Sequence, residues 1–167
     1  MVTPKPYQYP HPPAWMAASS PGSAATAGEN GLGLLCFSIM QPLDTLKTII
    51  DSYRLAQQSA VPLTSVHTNQ VGVYTLVHCA ESRSTFDTNR LWDSMWWWYK
   101  GIAEFHLKWE MAHLSPEQQA QAFPLLESRA RGEFDITEFD REDMVVVGTP
   151  DECLQKLLRY EEAGVDQ

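Results

Sequence analysis

The sequence predicts an α/β protein built on a parallel sheet, and three observations carry that reading. Two short runs, Ala14 to Ala18 and "GLGLLCF" at Gly31 to Phe37, are apolar without interruption, as strands covered on both faces are. Elsewhere apolar residues recur at helical spacing, most clearly Leu43, Leu46, Ile49, Ile50 and Tyr53. Strand and helix therefore alternate along the chain, the order that parallel α/β folds require.

The elements follow in sequence. Pro4, Pro6, Pro10, Pro12 and Pro13 precede the first strand and fix where it begins, because proline lacks the N–H that a sheet ladder needs. Ser23 to Asn30 reads as a helix of small residues, and Gly31 to Phe37 as the second strand. Pro42 suits the first turn of an amphipathic helix that runs to about Gln58. Val71, Val73, Leu76 and Val77 mark a third strand within "QVGVYTLVHC".

Thr88 to His113 reads as one long aromatic-rich helix or two. "LSPEQQAQAFPLLESRARG" predicts a further helix, started by Ser115 and Pro116, bent at Pro124 and stopped by Gly132. The last helix has the clearest local chemistry: Thr149 as cap, Pro150 at the first position and Glu152 completing a T-x-x-E capping box. Leu154, Leu157 and Leu158 are its expected buried face and Gly164 its stop, after which "VDQ" begins another strand. That makes three complete strands and the start of a fourth. A (β/α)8 barrel typically takes roughly 250 residues, so a barrel reading makes this chain about the second half of one, whereas a doubly wound sheet needs fewer.

Composition narrows the function classes. A hydrophobic fraction of 44% with 20% charged residues is that of a folded globular chain, and no low-complexity tract argues otherwise. The net charge of −9 speaks against a nucleic-acid backbone or an anionic membrane surface as partner. No window approaches the roughly 20 apolar residues of a bilayer span, and no signal-peptide pattern opens the chain. Cys36, Cys79 and Cys153 form neither a disulfide framework nor a metal knuckle, and read as reduced, buried thiols of a cytoplasmic protein.

Four constellations bear on chemistry. Ser19, Ser20, Gly22 and Ser23 lie between the first strand and a helix start, on the side of a parallel sheet where ligands bind. Helix-start N–H groups with hydroxyls beside them suit a phosphate or carboxylate, and simple helix capping by Ser20 or Ser23 explains the same residues. His106, Glu110 and His113 can face the same way on a helix, but the H-E-x-x-H pattern is absent and no matching further ligand is evident, so a solvated polar face stands against a metal, and no metal is expected. Trp92, Trp96, Trp97, Trp98 and Tyr99 read as core and interface packing or as a wall for a planar ligand. A G-x-S-x-G elbow is missing, and the five histidines suggest no triad.

"PKPYQYPHPPAWMAASSPGS", "AGENGLGLLCFS" and "VVGTPDECLQKLLRYEEAGVDQ", in this order and spacing, resemble the second half of bacterial-luciferase-like flavin-dependent monooxygenases. "WDSMWWWY" is similar to the helix after the seventh strand of those proteins. The resemblance implies a partial (β/α)8 TIM-barrel fold: residues 1–167 as the C-terminal portion of the barrel domain, approximately strands 5 to 7 and the helices up to strand 8, with the N-terminal half absent.

It further implies reduced flavin mononucleotide (FMN) and O2 oxygenating a small organic substrate, a flavin reductase as supplier of the reduced flavin, and a homo-oligomer when the chain is complete. The phosphate loop of the family maps onto Ser19, Ser20 and Ser23, with Gly22 between them. Ser20 keeps the family's residue and Ser23 a hydroxyl, whereas Ser19 replaces a glutamate. Phe37 and Ser38 map near the flavin ring. The resemblance assigns no catalytic acid or base to this chain, which alone is expected to be inactive. A deazaflavin-dependent oxidoreductase of the same fold, and a non-catalytic flavin-binding or structural chain, remain alternatives.

Overall fold

The computed structural model describes residues 4–39, 41–87 and 89–167. They fall into two compact units: one runs to Thr75 and resumes at Leu157–Gln167, and the other is Leu76–Lys156.

The first unit holds β1 (Trp15–Ala17), α1 (Pro21–Glu29), β2 (Gly33–Phe37), α2 (Leu43–Gln57) and β3 (Val71–Tyr74). The three strands pair in parallel in the order β1-β2-β3, with Ala17 opposite Leu35 and Phe37 opposite Tyr74. Side chains alternate across β2. Leu34 and Cys36 are buried, together with the Ala24 and Ala27 of α1 and the Leu46, Ile49, Ile50 and Tyr53 of α2, while Leu35 and Phe37 are exposed. The small residues of α1 have a purpose here: a Cβ on Gly28 would stand 2.6 Å from the backbone oxygen of Tyr53 and 2.9 Å from Cβ of Ala56, so glycine lets the two helices meet. The Tyr53 hydroxyl reaches the carbonyl oxygens of Leu32 (2.9 Å) and Thr68 (3.2 Å), satisfying polar atoms in the core.

The second unit holds β4 (Val77–Cys79), a 3-10 turn at Arg83–Thr85, α3 (Leu91–Trp109), α4 (Pro116–Ala122), α5 (Pro124–Ala130), α6 (Glu138–Arg141) and β5 (Val146–Gly148). β4 and β5 pair in parallel, and Tyr99, Phe123, Phe134 and Phe139 make an aromatic core with Trp96. The division between the units falls within α7 (Pro150–Glu162).

The α/β alternation and the parallel pairing are as expected, but several elements differ. The expected third strand is two strands, β3 and β4, in separate sheets, with Thr75 and Leu76 between them. β5 is a further strand that apolar-run counting passed over, because "MVVVG" merges into the capping signal of the next helix. Residues 165–167 form no strand, yet they bond beside β3: Asp166 donates its N–H to Val71 O (2.9 Å) and Val73 donates to Gln167 O (2.8 Å).

The aromatic helix is one, Leu91–Trp109, and the Thr88 start expected for it lies outside the described residues. Pro124 does not bend its helix but separates two, α4 and α5. The buried face of α7 is Cys153, Lys156 and Tyr160, leaving Leu154, Leu157 and Leu158 exposed. A lysine took the place of a leucine stripe because Asp140 and Asp143 meet its ammonium at 2.8 and 2.7 Å.

Candidate functional site

The parallel sheet of the first unit brings the predicted site residues to the C-terminal ends of its strands. Ser19 and Ser20 follow β1, Phe37 closes β2 with Ser38 after it, and Tyr74 closes β3 opposite Phe37. Parallel pairing alone ensures this, since strands running the same way deliver their exits to one edge.

The turn from β1 into α1 is built by Ser20 and Ser23. Ser20 has extended backbone and caps the helix: its Oγ accepts the Ser23 N–H (3.3 Å), and Ser23 Oγ accepts the Ser20 N–H (3.2 Å). The two hydroxyls lie 2.9 Å apart. Pro21 occupies the first helical position, and no acidic residue stands in the first turn, so the positive end of the helix faces outward uncompensated. Ser19, Ser20 and Gly22 are exposed, and a Cβ at Gly22 would meet nothing within 4 Å, which leaves the outer side of the turn open. The capping reading therefore describes the bonds these serines make, and their exposure leaves room for an anion to compete for the same donors.

Phe37 and Ser38 diverge. Ser38 is fully buried, with its hydroxyl 3.5 Å from the Tyr74 carbonyl oxygen, to which its N–H also donates (3.1 Å). Phe37, at 41% exposure, lies on the open face of the sheet and meets the Tyr74 ring edge-on at 5.6 Å between centroids. Sequence reasoning missed Tyr74, although its alternation with Val73 in "VGVY" carries the signal. The same unit has a shallow cleft of about 420 Å³ lined by Trp15, Leu35, Gly72, Val73, Tyr74 and Gln167.

The second unit has a larger cleft, about 730 Å³, whose lining includes Leu76, His78, Asn89, Arg90, Trp97 and Trp98. The tryptophans do not form one wall. Trp96 stacks on Tyr99 beneath the Arg129 guanidinium, whereas Trp97 is 75% exposed, because consecutive helical positions point to different sides. His106 pairs with Glu110 at 2.6 Å, and among the described residues no group of His, Cys, Asp or Glu is arranged to hold a metal. No helix among them is long and apolar enough to cross a membrane.

The parallel sheet thus gathers a helix start and an aromatic pair at its strand ends, the edge at which open α/β sheets generally bind ligands. The chain belongs to the luciferase-like monooxygenases, a family of TIM-barrel type, whose model matches residues 1–167. Among solved structures it is similar to the monooxygenase RslO1 from Streptomyces bottropensis, with a TM-score of 0.52 and 20% identity over 96% of this chain and 40% of that one. The chain thus spans less than half the length of that relative. Among curated proteins none matches it.

Proposed function

We propose that this chain contributes the phosphate-binding edge of a flavin-dependent monooxygenase that uses reduced FMN and O2 to oxygenate a small organic substrate. The observation that carries the reading is the convergence of Ser20, Gly22, Ser23 and Phe37 at one strand-end edge, in a chain whose whole length matches the family. In the barrel this edge belongs to strands 5 to 7, the remaining strands coming from outside these residues.

The residues present fit a phosphate. The N-terminus of α1 offers N–H donors and a positive partial charge, Ser20 and Ser23 add hydroxyls, and the first turn carries no carboxylate to repel an anion. Reduced flavin, when bound, supplies the electrons that activate oxygen. The protein's part is to anchor the phosphate and to set Phe37 and Tyr74 as an apolar surface toward the ring. Such a surface keeps water from the reacting region. A separate flavin reductase as supplier and a homo-oligomeric complete protein belong to the same proposal.

The test is FMN titration of the complete protein with S20A and S23A variants. Each is expected to weaken binding by about 1 kcal/mol, roughly fivefold. Because each substitution also removes a helix cap, S115A, which removes the equivalent cap of α4, serves as control and should leave FMN affinity unchanged. Unchanged FMN affinity in the S20A/S23A double variant would overturn the site assignment. Preferential binding of a deazaflavin would overturn the choice of cofactor.

A further inference from the structure

Sequence spacing gives no reason to pair any of the three cysteines, but the second unit brings two of them together. Cys79 ends β4 and is exposed; Cys153 lies one turn into α7 and is buried. In the β4–β5 register Cys79 stands opposite Gly148, and only Thr149 separates Gly148 from the start of α7. That short turn returns the helix over the end of β4. Cys153 Sγ lies 3.9 Å from the carbonyl oxygen of His78, the residue bonded to Cys79, which brings the two cysteines beside one another at the end of β4. Cys36 is buried in the first unit, its thiol pushed up to about 11 by burial.

We propose that Cys79 and Cys153 are a redox-active dithiol that closes to a disulfide when the protein meets a hydroperoxide such as hydrogen peroxide. The proposal does not depend on the flavin reading. Cys79, the exposed thiol, reacts first: its thiolate attacks one peroxide oxygen, the O–O bond breaks, and the departing hydroxide takes up the thiol's proton as water. Cys153 then gives up its proton and attacks the Cys79 sulfur, displacing hydroxide, which leaves as a second water. Two thiols and one hydrogen peroxide give one disulfide and two waters, with two electrons passing from sulfur to peroxide. Burial holds the Cys153 thiol above its ordinary range, and the neighbouring Cys79 adds to this, which suits it to the resolving rather than the attacking role.

The experiment exposes the purified protein to a small excess of hydrogen peroxide, quenches it, alkylates remaining thiols under denaturing conditions and weighs the chain and its peptides. The expected result is a single alkylated cysteine, Cys36, a peptide joining Cys79 to Cys153, and a chain about 2 Da lighter before alkylation, all reversed by dithiothreitol. C36S should form the same link, and C153S should leave a sulfenic acid on Cys79 that dimedone captures. Three alkylated cysteines in the wild type, a sulfinic acid on Cys79 beside an alkylated Cys153, links only between chains, or loss of the link in C36S would each overturn the proposal.

Discussion

Glu152 accepts the Thr149 N–H at 2.7 Å and the Arg83 Nε–H at 2.9 and 3.0 Å on its two oxygens. The Thr149 N–H first, and then the Arg83 guanidinium, hold its carboxyl below the usual glutamate range. A depressed folded-state pKa means that the contribution to stability is complete above the ordinary glutamate value, near 4.5, and disappears as pH falls through the depressed one. E152Q is therefore expected to be less stable than wild type at neutral pH, with the gap closing below about pH 4.5; urea midpoints measured against pH would check it. A gap that persists unchanged into acid would reject the charged cap. Half of this arrangement was legible in the sequence. Thr149 and Glu152 are three residues apart, a local spacing, while Arg83 arrives through the fold and leaves no periodic trace. Lys156 was illegible for the same reason, since only Asp140 and Asp143 make its burial tolerable.

At the scale of elements, the meeting of α1 and α2 rests on Gly28. G28A gains about 1 kcal/mol of helix propensity, but the new methyl would stand 2.6 Å from a backbone oxygen that can move only with its helix. The expected net effect is a loss on the order of 1–2 kcal/mol, read as a lower urea midpoint, and an unchanged or raised midpoint would show that the helices separate freely. The sequence announced α1 by its small residues and α2 by its stripe; α2 stands where the spacing put it, whereas α1 begins two residues early, at Pro21, so that Gly22 and Ser23 lie in its first turn. It did not reveal that "VGVYTLVHC" serves two sheets, because apolar residues resume at Leu76 and Val77 directly after Thr75 and no turn residue marks where the pairing partner changes from β2 to β5. The leucines of α7 misled in a complementary way: their stripe is real, but a helix with two amphipathic faces buries the one that finds partners.

At the scale of the molecule, the candidate site was legible as a group of residues but not as an arrangement. Ser20, Ser23 and Phe37 were identified from order and resemblance. That Ser38 turns inward and Tyr74 takes its place on the open face follows from strand pleating, which fixes side only once the register is known. The chain also divides into two units, and its six tryptophans divide with it: Trp15 alone belongs to the first, and Trp92, Trp96, Trp97, Trp98 and Trp109 to the second. Trp15 packs where Gly33 leaves room, since a Cβ there would stand 2.5 Å from its ring, so its emission should report the integrity of the small sheet. Difference spectra between wild type and W15F during urea unfolding are expected to give the first unit's transition by itself. Coincidence of that transition with the signal of the remaining five would establish one cooperative molecule, and a displaced midpoint two. The uneven placement of one residue type thus gives each unit its own optical label, with no dye or tag attached.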